Sequence, residues 1–196
     1  MITFTASDRE RPLTLPNFLT FARLAAVPLI VALFFVDSRP ALWAVLVLFV
    51  AAAVTDYADG WLARALDQHS ELGRLMDPIA DKVMVATILL LLVGFQVVGG
   101  VHLIPAIVIL ARELAVTGLR EYLAENRIST PVTKLAKWKT ATQMVALTGL
   151  IAGLLLGETV GAAGLVLLWA AGALTAITGW GYFRSGLAAA KGSHDD

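Results

Sequence analysis

Long apolar runs set the first limit on this chain. The stretch ALWAVLVLFVAAAV, residues 41–54, contains no charged or amide side chain, and comparable runs recur almost to the C-terminus. A helix needs about 20 apolar residues to cross the hydrocarbon core of a bilayer. The pattern predicts six such spans, at roughly 17–36, 41–66, 78–98, 101–123, 134–156 and 160–183. Turn chemistry separates them: DSRPA at 37–41, QVVGG at 96–100, NRISTPVT at 126–133 and LGETVG at 156–161. The expected fold is all-α, a single integral membrane bundle of six transmembrane helices over residues 1–196, with an N-terminal segment at 1–13 and a tail at 185–196. Composition agrees, because 15% charged and 58% hydrophobic residues are far from the roughly 25% charged residues of soluble domains. The opening MITFTASDRERPLTL lacks the apolar core of a cleavable signal peptide. Cysteine is absent, which excludes disulfides and thiolate metal sites.

The basic residues give the orientation. Assigned to alternate sides of six spans, fourteen of the Lys and Arg residues fall on one side, and only Arg39 falls on the other. The positive-inside tendency then puts both termini and the even-numbered connections in the cytosol. Pro28 and Pro105 lie inside proposed spans, where they are expected to kink their helices. The Gly- and Ala-rich fifth and sixth spans allow close helix approach. Trp138, Trp169 and Trp180 are expected as interfacial anchors or bundle contacts. His69, His102 and His194 form no cluster in the sequence and are given no catalytic role.

Against this apolar background four aspartates stand out. Asp56 and Asp59 are three residues apart and Asp77 and Asp81 four apart, so on helices each pair shares a face. A carboxylate at membrane depth costs about 2.5–3.5 kcal/mol on insertion scales, and like charges at close range add to that. The cost implies a cationic partner. Oxygen ligands without His or Cys favour Mg²⁺, Mn²⁺ or Ca²⁺, and two divalent ions are the usual apparatus for displacement at phosphorus. A plainer reading makes Asp77 an N-cap followed by Pro78 at the first helical position, and Asp59 an ion-pair partner of Arg64. It leaves Asp56 and Asp81 without a reason. Gly60, Ala63 and Gly73 leave room beside the carboxylates for a ligand.

Written out, the segment is Asp56-x2-Asp59-Gly60-x2-Ala63-Arg64-x8-Gly73-x3-Asp77-x3-Asp81. It resembles the signature of the CDP-alcohol phosphotransferase family at all eight fixed positions. The resemblance implies that Asp56, Asp59, Asp77 and Asp81 bind a pair of Mg²⁺ or Mn²⁺ ions holding the CDP diphosphate. It makes Asp81 also the general base, and puts Gly60, Ala63, Arg64 and Gly73, with Asp59, in the nucleotide pocket. It further implies an active site on the cytosolic side of a bacterial inner membrane, a homodimer, and no nucleic-acid partner.

Three further patterns concern the acceptor. Asn17, Thr20 and Arg23 recur every three residues, Arg112, Glu113 and Arg120 form R-E-x6-R, and Lys137, Lys139 and Thr140 form K-x-K-T. A cluster of cations suggests an acceptor that itself carries phosphate. These patterns are similar to those of bacterial phosphatidylglycerophosphate synthases. That similarity implies CDP-diacylglycerol and sn-glycerol 3-phosphate as substrates, with Asn17 and Thr20 on the nucleotide side. Arg112, Arg120, Lys137, Lys139 and Thr140 would bind the acceptor phosphate, supported by Arg23 and Glu113. Other acceptors, such as inositol phosphate or serine, leave the chemistry unchanged. A cation or proton transporter is the reading from a different class, since membrane carboxylates also line transport pathways.

Overall fold

A computed structural model describes the backbone of residues 15–66, 71–125 and 134–192, and the side chains of residues 18–56, 76–123 and 135–184. Among the described residues there are six α-helices and no strand: α1 (Leu15–Phe34), α2 (Arg39–Leu66), α3 (Glu71–Gly94), α4 (Leu103–Glu125), α5 (Lys134–Leu156) and α6 (Glu158–Gly192). A 3₁₀ turn, Gly100–His102, leads into α4. The stretches Arg39–Asp56, Gly100–Leu123, Leu135–Leu156 and Glu158–Arg184 are long and apolar enough to cross a membrane, and α1 adds the shorter apolar stretch Phe18–Phe34. In α3, Asp77, Asp81 and Lys82 leave only residues 83–94 free of charge. By itself that stretch is about 18 Å of helix, well short of the hydrocarbon thickness.

Several ends differ from the sequence expectation. Helix α3 begins at Glu71 rather than near 78, so Asp77 lies inside the helix and is not its N-cap. Pro78 is an internal proline, and the Lys82 ammonium donates to its carbonyl at 3.1 Å. The helix stops at Gly94 through a Schellman arrangement: Gln96 takes a left-handed φ of 59°, its N–H bonds Val93 O at 3.0 Å, and Val97 N–H bonds Leu92 O at 2.8 Å. Pro105 falls in the first turn of α4, where its missing N–H would have no helical partner, so the kink expected there is not required. Helix α6 runs to Gly192, making residues 185–192 helical where a tail was expected.

The chain divides within α3 into two units, Met1–Thr87 and Ile88–Asp196. In the first, α1 and α2 are joined by a short turn in which Ser38 Oγ accepts from Ala41 N–H at 3.3 Å, capping α2. Buried positions on α1 are Thr20, Arg23, Val27, Ile30 and Phe34, alternating by three and four residues along one face. On α2 they are Ala41, Val45, Phe49 and Ala52, a face on which Asp56 is the next position. Each seam therefore passes from hydrocarbon into a polar end.

In the second unit, α5 and α6 form an antiparallel hairpin turned by Gly157, whose φ of +105° suits glycine. Glycines bring the two backbones together. A β-carbon on Gly153 would lie 2.6 Å from Gly161 Cα, and one on Gly164 would lie 2.8 Å from Leu150 N. Leu147, Leu150, Ile151 and Leu168 fill the buried space around this contact. Helices α4 and α6 also touch. Gly172 packs on Pro105 and Gly179 on Arg112, and since both pairs advance by seven residues, the helices run parallel in heptad register. At the start of α4, Trp169 Nε1 donates to His102 Nδ1 at 3.0 Å, so this tryptophan is a bundle contact, whereas Trp138 and Trp180 are exposed.

Gly164→Ala should lower the thermal midpoint in detergent, because overpacking against backbone costs about 1–3 kcal/mol. Gly118→Ala, in α4 with open space around it, should be neutral or slightly stabilising. Parallel unfolding curves of the two variants check this; equal midpoints would mean that the hairpin contact is looser than it looks.

Candidate functional site

Among the described residues two polar clusters interrupt the apolar packing, one in each unit. In the first unit, Thr20 on α1 donates its hydroxyl to Asp77 Oδ1 on α3. One turn along α1, Arg23 Nη1 binds Asp56 Oδ1 on α2 at 2.6 Å. The Arg23 side chain is only 2% exposed, so the guanidinium is held away from solvent and lipid beside its counter-charge. Asp56 and Asp77 are near enough to repel each other. Three helices thus converge on two carboxylates, and the spacing of Thr20 and Arg23 on one face of α1 explains how both are reached at once.

Asp81 lies on α3 one turn beyond Asp77 and is half-buried. Asn17, Asp59, Gly60, Ala63, Arg64 and Gly73 belong to helices whose backbone is described, but their side chains lie outside the described residues. Among the described residues no three acidic or imidazole groups form a ready metal site. The donor chemistry still fits a hard divalent cation: Asp56 and Asp77 offer oxygen only, they repel one another, and a buried cation already answers one of them.

The second cluster is built on Glu113 of α4. Its Oε1 accepts from Lys139 Nζ on α5 and from Arg112 Nη1 at 3.3 Å. Lys139 is 5% exposed, Arg112 12% and Glu113 17%, so two cations share one carboxylate in a largely dry setting. Arg112 reaches α6 as well. Its Nη2 donates to Thr178 Oγ1 at 3.4 Å, and the guanidinium carbon lies 5.6 Å from the centre of the Tyr182 ring. Buried atoms without a hydrogen-bond partner here are Arg112 Nε, Gln143 Oε1 and Thr175 Oγ1. The arrangement carries one more positive charge than negative, with the Arg112 Nε–H left unmatched, and suits an anion.

Of the residues expected at this site, Arg112, Glu113 and Lys139 come together, whereas Arg120 and Lys137 are exposed. Thr140 is half-buried and returns its hydroxyl to Ala136 O at 3.2 Å. The contributions of Thr178 and Tyr182 escaped sequence reasoning. The available signal was the heptad interval between Gly172 and Gly179, matching that from Pro105 to Arg112.

Residues 13–177 match the family described as CDP-alcohol phosphatidyltransferase. The CDP-diacylglycerol–glycerol-3-phosphate 3-phosphatidyltransferase of Cereibacter sphaeroides is 40% identical over 89% of this chain and 96% of its own length. A protein of the same name from Rickettsia bellii is 42% identical over 87% of this chain and 94% of its own. A rice cardiolipin synthase (CMP-forming) is 42% identical over 71% of this chain but only 46% of its own length.

Removing one partner from the buried triad isolates its energetics. Glu113→Ala should destabilise by about 3–5 kcal/mol, because Lys139 and Arg112 lose their shared anion. The double variant Glu113→Gln/Lys139→Gln, which removes both charges, should lose much less. Chemical denaturation in mixed micelles measures both, and a double variant as unstable as the single one would mean the ion pair is incidental.

Proposed function

The chain belongs to the CDP-alcohol phosphatidyltransferase family, and from that premise we propose that it transfers the phosphatidyl group of CDP-diacylglycerol to sn-glycerol 3-phosphate, releasing CMP. The observation that carries this reading is the pairing of the family's aspartate pattern with a second, buried cluster of cations. One charge pattern suits a metal-bound diphosphate, and the other suits an acceptor that is itself a phosphate ester.

In the reaction a primary hydroxyl of the acceptor attacks the β-phosphorus. The bond to the CMP phosphate oxygen breaks, CMP departs with the electron pair, and the hydroxyl proton passes to a base. Asp81 is that base, one helical turn beyond Asp77 on α3. Asp56, Asp59, Asp77 and Asp81 would hold divalent ions of the kind this family generally uses, and the oxygen-only donor set suits two Mg²⁺ or Mn²⁺ ions. When bound, such ions supply positive charge to the diphosphate as it gains charge at the leaving group. Thr20 orients Asp77 through its hydroxyl, and Arg23 neutralises Asp56. Asn17, Thr20, Gly60, Ala63, Arg64 and Gly73, with Asp59, complete the nucleotide pocket.

On the acceptor side Arg112 and Lys139 bind phosphate, with Glu113 keeping the two cations together. Arg120, Lys137 and Thr140 contribute from the same ends of α4 and α5. Within the reading the chain is one functional domain of six membrane spans, with both termini and the reacting groups on the cytosolic side of a bacterial inner membrane. It forms a homodimer there. The exposed apolar side chains, among them Leu90, Ile107, Val166 and Ile177, suit a lipid or subunit contact at those helix faces.

Membranes containing the protein should release CMP from CDP-diacylglycerol only when glycerol 3-phosphate and Mg²⁺ or Mn²⁺ are both supplied. A panel including inositol phosphate and serine, scored by CMP production, checks the acceptor. Turnover with one of these alone would move the assignment within the family, while cation flux in liposomes without any CDP-lipid would favour a transporter. Asp81→Asn should lower kcat by about 10²–10⁴, the usual contribution of a general base, with nucleotide affinity largely kept. Unchanged turnover would remove Asp81 from that role.

A further inference from the structure

Arg112 is gripped from several directions, and most of the grip comes from α6. Its Nη1 is engaged by Glu113 and its Nη2 by Thr178. The guanidinium carbon lies over the Tyr182 ring, 5.6 Å from its centre, within the range of a cation–π contact. The aliphatic stem lies against Gly179, where a β-carbon would come within 2.8 Å of Arg112 Cγ. Only Nε is left without a partner, and it is buried.

The direction of the Thr178 bond is fixed by proton accounting. A threonine hydroxyl has one hydrogen to give. Here that hydrogen goes back to α6's own backbone, to Leu174 O at 2.8 Å, with Thr175 O also near at 3.1 Å. The lone pairs are therefore what Arg112 meets, and the hydroxyl acts as an acceptor aimed at a cation. Thr178 is 6% exposed and Tyr182 9%, so neither contact competes with bulk solvent. The residues responsible, Thr178, Gly179 and Tyr182, all lie beyond residue 177, where the family match ends.

We propose that Thr178, Gly179 and Tyr182 are positioning residues that fix the orientation of the Arg112 guanidinium in which it meets the phosphate of the acceptor. This rests on the reading of Arg112 as an acceptor-phosphate ligand. It assigns to the cytosolic half of α6 a part in substrate affinity that is separate from closing the bundle. Glu113 fixes one end of the fork, Thr178 the other, and the ring prevents tilting. Phosphate then binds without the loss of side-chain freedom that a mobile arginine would suffer.

The test is steady-state CMP release by the purified full-length protein, with each substrate varied in turn. Thr178→Val keeps the shape and removes the acceptor oxygen, while Tyr182→Leu removes the ring. Each should raise the KM for glycerol 3-phosphate about five- to tenfold, the scale of one lost charged hydrogen bond or cation–π contact, and leave the KM for CDP-diacylglycerol unchanged. Thr178→Ser and Tyr182→Phe should restore values within about twofold, since both preserve the contacts argued above. In an Arg112→Ala background, Thr178→Val should have no further effect. Where turnover is too slow to measure, the thermal shift caused by added glycerol 3-phosphate reads the same affinities. Equal effects on both KM values, or full effects persisting without Arg112, would reduce these residues to helix packing and overturn the proposal. If Arg112→Ala raises the KM for glycerol 3-phosphate while the α6 variants do not, the positioning role alone fails. If Arg112→Ala leaves that KM unchanged, the acceptor-site reading fails and this inference falls with it.

Discussion

A charge inside a helical bundle in hydrocarbon must find an opposite charge in the same bundle, and this requirement governs both units. Arg23 and Lys139 are almost fully buried, and each lies against a carboxylate on a neighbouring helix. An uncompensated ion there would cost several kcal/mol, more than most single packing contacts return. The pairs consequently select which helices meet and in what register. Arg23 closes the α1 face of Val27, Ile30 and Phe34, and Asp56 closes the α2 face of Ala41, Val45, Phe49 and Ala52. Apolar packing brings the helices together, and the ion pair sets their alignment at the polar end.

The same pairing has a chemical use. A carboxylate answered by a buried arginine is tolerated before any other cation arrives, and it remains an oxygen donor in a place of low dielectric. Asp56 and Asp77, repelling one another and contacted from α1 by Arg23 and Thr20, illustrate a site whose negative charge is answered only in part by Arg23. The Glu113 triad has the opposite sign. Two cations share one anion, which leaves a net positive group and a buried Arg112 Nε with no partner.

Small residues supply the precision that charges alone do not. Gly153 against Gly161 and Gly164 against Leu150 set the α5–α6 distance at backbone contact, and Gly172 and Gly179 set the register of α6 beside α4. Shifted by even one residue, α6 would turn Thr178 and Tyr182 away from Arg112, since one helical position is about 100° of rotation. Packing at Gly179 and recognition at Arg112 are for that reason one geometric fact.

The helices were legible because a long apolar run in a membrane has little alternative to helix, and the aspartate pattern was legible because those residue types are too costly there without a use. Sequence periodicity likewise put Thr20 with Arg23 and Arg112 with Glu113 on shared helices. It misjudged the beginning of α3, since Asp77-Pro78 has the local form of a helix start while the helix begins about two turns earlier at Glu71. It also stopped α6 where the hydrophobicity stops, although a helix can continue on backbone hydrogen bonds into polar residues. By itself, then, the sequence determined the all-helical class and the family. Tertiary structure decided which charge meets which, that Thr20 serves Asp77, that Arg23 serves Asp56, and that α6 holds Arg112. Those contacts join residues 33 to 66 positions apart, and no local rule of spacing encodes them, because they depend on the register that interhelical packing selects.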